Sequence, residues 1–168
     1  MNIRTASAAD LEQIAALYIR NHKSTYADLL PESYLSGLTL AYGMEKWGDY
    51  MQCPEKRVWV ACEGAAVLGF AAGMPDTALA QTWYLDSLHA AEAARGKGVG
   101  SALIRTAARS AAEQGFRRMS VCIIRGNDRA RALYTKLGAV HSLYFEDCFR
   151  GTRTSSEKLL WEVLPLAE

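Results

Sequence analysis

The sequence predicts an α/β fold: a mixed sheet with helices covering its faces. Three observations lead there. Short apolar runs of strand character recur along the chain. Amphipathic, partly alanine-rich stretches with helical spacing lie between them. Two of those stretches stop at a glycine, Gly115 and Gly138, the residue favoured just past a helix end.

In chain order, Asn2–Thr5 reads as a short strand. Ser7-Ala8-Ala9-Asp10 is a capping-box-like start. Leu11, Ile14, Ala15 and Tyr18 then recur at helical spacing, which predicts a helix to about Asn21. Leu29-Leu30-Pro31-Glu32 resets the chain, because proline fits a first helical turn, and short helices follow in Glu32–Leu38 and Ala41–Met51. Arg57–Cys62 and Ala66–Met74 are apolar strands around a Glu63-Gly64 turn, a hairpin. Thr82–His89 is another strand. A glycine-rich basic turn, Arg95-Gly96-Lys97-Gly98-Val99-Gly100, runs into a helix over Ser101–Gln114. Arg118–Ile124 is a strand, and Asn127 caps a helix over Asp128–Leu137. Val140–Phe145 and Lys158–Leu164 close the sheet, with a polar loop between them.

Composition narrows the function. The 168 residues carry 19 Lys+Arg against 18 Asp+Glu, a net charge of +1, which removes the global electrostatic case for nucleic acid or anionic membrane as partner. The length suits one domain over 1–168. The longest uncharged apolar stretch, Gly64–Pro75, is too short for a bilayer, which takes about 20 residues. Met1–Asp10 lacks the basic-then-apolar pattern of a signal peptide. Cys53, Cys62, Cys122 and Cys148 form no CxxC and no zinc spacing, and Cys62 and Cys122 read as buried small hydrophobes, so a cytoplasmic location is expected. His22 and His141 have no metal-like partners, and no metal is expected. Trp47, Trp59, Trp83 and Trp161 read as core or groove wall, Arg129 and Arg131 as a solvated helix face.

The chemistry starts at Arg95–Ser101. A helix N-terminus has free N–H groups and about half a positive charge from its dipole. Glycines let the backbone approach a ligand, so such a turn holds a phosphate or pyrophosphate, and Arg95 and Lys97 add formal charge. The run is not a P-loop, since GxxxxGK[ST] is absent. Nor is it a dinucleotide fingerprint, because no glycine stands three positions after Gly96 or Gly98.

Arg95-x-x-Gly98-x-Gly100 resembles the acyl-CoA pyrophosphate motif of the GCN5-related N-acetyltransferases, the GNAT superfamily. About 30 residues on, the run from Arg125 through Asn127, Ala130, Leu133, Tyr134 and Lys136 to Gly138-Ala139 is similar to that family's second signature, and Lys23–Tyr26 with Leu29–Glu32 to a subgroup of small bacterial members. The resemblance covers most of the chain. It implies a mostly antiparallel sheet of about six to seven strands flanked by helices, with one splayed strand pair. It further implies acetyl-CoA as cofactor and direct transfer of acetyl to a primary amine. The acceptor stays open among small amines, amino acids, antibiotics and peptide or protein amines, and a homodimer is compatible with it. The alternative is a non-catalytic acyl-CoA-binding or sensing module.

The roles carried over are these. Backbone N–H groups of Arg95, Gly96, Lys97, Gly98, Val99, Gly100 and Ser101 hold the pyrophosphate. Those around Leu88, His89 and Ala90 polarise the thioester carbonyl, in the gap left where that strand splays from Met119–Ile124. Asn127 contacts the cofactor arm, and Arg129 reaches toward its phosphates. Asn127 and Tyr134, seven residues apart, share one helix face about 10 Å apart along the axis, and Tyr134 is the proton donor to the leaving thiol. The family's strand glutamate falls on Tyr84 here, which leaves Asp86 as base, directly or through water, with His89 second. Ala90-Ala91-Glu92-Ala93-Ala94 departs from the family's usual Val-x-Pro-Glu-Tyr, a change that backbone contacts tolerate. Tyr26 and Asp28–Pro31 fall on the acceptor side.

Overall fold

The computed structural model describes residues 1–149 and 151–166. It holds a seven-stranded sheet of β1 (Asn2–Thr5), β2 (Arg57–Glu63), β3 (Ala66–Pro75), β4 (Thr82–Ala90), β5 (Arg118–Ile124), β6 (Val140–Phe149) and β7 (Thr152–Trp161), in the order β1-β2-β3-β4-β5-β7-β6. Neighbours pair antiparallel except β4 and β5, which are parallel. The helices are α1 (Leu11–Thr25), α2 (Glu32–Ser36), α3 (Leu40–Gln52), α4 (Val99–Glu113) and α5 (Asp128–Lys136).

Strand alternation sorts the apolar side chains to two faces. From β2, Val58, Val60 and Cys62 pack with Phe70 and Ala72 of β3 against Ile14, Ala15 and Tyr18 of α1 and Trp47 of α3. The intervening Trp59 and Ala61 face the opposite layer, with Ala71, Trp83, Leu85 and Val121, under Leu103, Ile104, Ala107 and Ala111 of α4. The central strands are apolar almost throughout because both faces are covered. All four tryptophans are buried and belong to these cores. Gly43 lets α3 approach α1, since a Cβ there would lie 3.1 Å from Ala15 Cβ and 3.3 Å from the Ala15 carbonyl oxygen.

Several boundaries differ from expectation. α1 continues to Thr25, a turn beyond Asn21, because Asn21 is buried rather than a polar stop. α4 starts at Val99, so Gly100 and Ser101 lie inside its first turn. The expected polar loop after Phe145 is the far half of a hairpin, with Glu146 opposite Ser155 and Asp147 opposite Thr154. Its polar side chains hide the alternation that marks a half-buried strand. Cys62 is buried, but Cys122 is only partly so. Arg131 does not simply face solvent: its Nε donates to Glu157 Oε2 at 3.0 Å, and His141 Nδ1 lies 2.9 Å from Glu157 Oε1.

The register between β3 and β4 slips once. Ala72 faces Ser87 and Gly73 faces Leu85, so Asp86 is the extra residue of a bulge. Gly73 opposes it because there is no room for a side chain: a Cβ there would run into Trp83 Nε1 and lie 2.8 Å from the Tyr84 carbonyl oxygen. Gly73→Ala is therefore expected to cost about 1–3 kcal/mol as overpacking, read as a lower urea midpoint. An unchanged midpoint would mean that the bulged pair spreads freely.

Candidate active site

The bulge has a consequence on the other edge of β4. Thr82–Leu85 pair with Arg118–Val121, and there the parallel ladder ends. β4 goes on along β3 to Ala90, while Cys122–Ile124 of β5 go on along β7. A bulge bends its strand and raises the local twist, and the two chains part. Backbone groups facing such a gap lack strand partners and are free for a ligand. A cavity of about 730 Å³ lies at this end of the sheet, between Leu88–Ala90, the start of α4, α5 and the end of α1.

The glycine turn forms one wall. Gly96 and Gly98 have φ of +75° and +81°, and a Cβ at either would meet nothing within 4 Å. These two glycines serve the backbone conformation. Gly100 serves space, since its Cβ would sit 3.1 Å from Leu133 Cδ2, where α4 meets α5. No side chain caps α4 and no acidic residue lies in its first turn, so its N–H groups stay available to an anion. Arg95 lines the cavity, with Nη2 donating to Asn21 Oδ1 at 3.1 Å and Nε to the Ala90 carbonyl at 3.4 Å. Lys97 is exposed and lies outside the cavity lining.

α5 forms the facing wall. Asn127 Oδ1 accepts the Ala130 N–H at 3.3 Å, capping the helix. Tyr134 is buried with its ring edge-on to Trp161 at 5.7 Å, yet it lines the cavity. Burial, with Tyr26 nearby, raises its phenol pKa, so it keeps its proton and remains a donor. Arg129 is exposed at the rim.

The two candidates for the base differ in place. Asp86 is half-buried on the bulge and is not part of the cavity lining. Burial raises its carboxyl pKa, against the pull of Lys46 and Lys56 and the Tyr50 hydroxyl. His89 lines the cavity, stacked on Phe70 at 5.0 Å and 5.6 Å from the ring of His22. Burial, helped by His22, Arg95 and Lys46, holds His89 well below its ordinary value. Leu88, Ala90, Val99 and Ser101 also line the cavity. Asn21, Ser24 and Thr25 line it without having been expected there, because the sequence hides the extra turn of α1. Among the described residues no group of three or more His, Cys, Asp or Glu could hold a metal, and no helix is long and apolar enough to cross a membrane.

Residues 22–139 match the Acetyltransferase (GNAT) family. The chain belongs to this family. Its activity is acetyl-CoA-dependent N-acetyl transfer to an amine acceptor, with acetyl-CoA as cofactor. The chain is 28% identical over 130 residues to the uncharacterized N-acetyltransferase YuaI of Bacillus subtilis, covering 76% of this chain and 73% of that one. The PaiA N-acetyltransferase of Thermoplasma acidophilum, solved with coenzyme A, has the same fold, with a TM-score of 0.74 at 21% identity over 93% of this chain and 96% of that one. So has YncA of Salmonella typhimurium, solved with its cofactor acetyl-CoA, with a TM-score of 0.73 at 21% identity over 100% of this chain and 95% of that one.

The histidine behind the cavity predicts a loss of stability in acid. Burial, reinforced by Lys46, lowers the His22 pKa from 6.5 to about 4. Between those values the unfolded chain binds a proton that the folded chain does not, so stability falls as pH drops through that window. The loss amounts to about 3 kcal/mol, from the 1.36 kcal/mol carried by each pKa unit. His22→Phe keeps a ring and removes the titration. Thermal unfolding between pH 7 and pH 4 should fall less steeply in the variant than in the parent, and parallel curves would show that His22 does not cause that loss.

Proposed function

We propose that the enzyme moves acetyl directly from acetyl-CoA to a primary amine bound on the α1 side of the cavity. The observation that carries this reading is one cavity that joins an uncapped helix N-terminus, the edge of β4 that has left β5, and Tyr134. The uncapped first turn of α4 and the room beside Gly96 and Gly98 fit a pyrophosphate. The cofactor supplies the acetyl group as a thioester.

Each residue then has one task. Backbone N–H groups of Gly98–Ser101 hold the pyrophosphate, with Arg95 beside them and Arg129 at the rim. Donors along Leu88–Ala90 face the acetyl carbonyl, and each oxyanion donor of this kind is worth about 2.7–4 kcal/mol of barrier. Asn127 orders the α5 wall by capping it. Tyr134 donates its phenolic proton to the departing sulfur. Asp86 accepts the amine proton through water, and its raised pKa suits the task, since a base works best near the operating pH. His89 is the second reading for the base, favoured by its place on the cavity wall.

Tyr134→Phe tests the assignment with little disturbance, because the ring and its packing on Trp161 remain. The maximal rate should fall by about 10²–10⁴-fold, the usual worth of a placed acid, with acetyl-CoA affinity nearly unchanged. Near-normal turnover would return Tyr134 to the core, and a loss confined to affinity would make it a binding residue. The base is read separately. In Asp86→Asn the rate should drop most at neutral pH and recover at high pH, where the amine loses its proton unaided. An unaltered pH profile would move the role to His89.

A further inference from the structure

Asn21 sits on α1 with 5% of its surface exposed, and its carboxamide touches two other elements. Its Nδ2 donates to the Ala90 carbonyl at the end of β4, at 2.9 Å. Its Oδ1 accepts from Arg95 Nη2 at 3.1 Å, and Arg95 Nε returns to the same carbonyl at 3.4 Å. The three groups close a ring of hydrogen bonds between the acceptor-side helix, the end of β4 past its parting from β5, and the entry of the cofactor turn. The amide half of the Ala90–Ala91 peptide is held as well, because Ala91 N–H donates to the Leu68 carbonyl at 2.8 Å. A planar peptide fixed at both polar atoms cannot rotate, which pins the end of β4 directly after the donors along Leu88–Ala90.

We propose that Asn21 is a positioning residue that couples α1 to the cofactor turn by fixing the Ala90 peptide and the Arg95 guanidinium together. This rests on the reading of the cavity as an acetyl-CoA site. The side-chain type matches the task. A carboxamide offers both a donor and an acceptor, one for a carbonyl and one for a guanidinium. It is also neutral, so the positive charge of Arg95 stays available to an anion, and the remaining guanidinium N–H groups stay free to donate. An aspartate would face the Ala90 carbonyl with a like dipole and neutralise Arg95. Holding Arg95 in one geometry also removes rotamer freedom that a bound anion would otherwise have to freeze. Ser24 and Thr25, one turn further along α1, and Tyr26 just past its end line the same cavity, so a shift of this tie moves both substrate walls.

The test is a double-mutant cycle on the full chain, with coenzyme A binding read by calorimetry and stability by thermal unfolding. Asn21→Leu should weaken coenzyme A binding about tenfold, the scale of one lost hydrogen bond to a charged group. In an Arg95→Leu background the same change should cost less than threefold, because its partner is already gone. Turnover at saturating acetyl-CoA should fall in Asn21→Leu as the Ala90 peptide loosens. Asn21→Asp keeps size and serves where the leucine variant fails to fold. It should also bind coenzyme A more weakly than the parent despite retaining its contact with Arg95. Equal losses in both backgrounds, or a lower unfolding temperature with affinity and turnover unchanged, overturn the coupling and leave Asn21 a structural residue. A parent protein that binds no coenzyme A overturns the cofactor reading first, a result distinct from a parent that binds and a variant that binds equally well.

Discussion

Everything at the active site depends on the separation of β4 from β5 after Leu85 and Val121. These are the only parallel neighbours among the described strands, and a parallel pair needs a long crossover between its members. α4 is that crossover. It starts just beyond the C-terminal end of β4, so its N-terminus falls at the mouth of the gap. α5 follows the C-terminal end of β5 in the same way and delivers Asn127 to the opposite side. Two helix starts and two unpaired strand edges therefore meet in one place. This is the carboxyl end of parallel strands, where open α/β sheets bind their ligands.

The two strands part because each follows its other neighbour: β4 stays with β3 up to Ala90, and β5 with β7 up to Ile124. The bulge at Asp86 absorbs the mismatch, and Gly73 gives it room. Past the bulge, Leu88 packs into the α4 layer with Leu133, while His89 turns to the other face and packs on Phe70 and Tyr18. A one-residue slip thus decides which side chains of β4 reach each layer.

That slip also marks where the sequence stops being legible. β5 shows its full extent in the chain because its apolar run ends at the Gly126-Asn127 breaker, β1 because it stops short of the Ser7–Asp10 capping box, and the Glu63-Gly64 turn announces its hairpin. The glycine turn and the Asn127 cap are readable because their chemistry is local: positive φ and a side-chain cap are satisfied within a few residues. The far halves of β6 and β7, after Phe145 and before Lys158, are not, since polar residues paired across a hairpin carry no apolar period. Asp86 follows Tyr84 by two residues and reads as regular alternation, and only the register against β3 reveals the bulge. Asn21 is the clearest case of what local reading misses. Its partners lie 69 and 74 residues away, and nothing around it in the chain separates it from an ordinary polar helix residue.

The electrostatics of the site follow from the same burial. Tyr26 and Tyr134 keep their protons because burial raises both phenols, and His22 and His89 stay neutral because burial lowers both imidazoles. Near neutral pH these four groups therefore present dipoles and hydrogen bonds to the cavity region, without charge. Fixed positive charge on the cavity lining comes from Arg95 at the turn and from Arg129 and Lys136 on α5. Asp86 stands apart on the bulge, desolvated but within the field of Lys46 and Lys56. A charge is stabilised more strongly by oriented dipoles where water is scarce, so on the proposed assignment the neutral wall favours the charge that develops during transfer. On the same assignment the amine proton goes through water to Asp86, and the bend that opens the gap is also the bend that carries the proposed base.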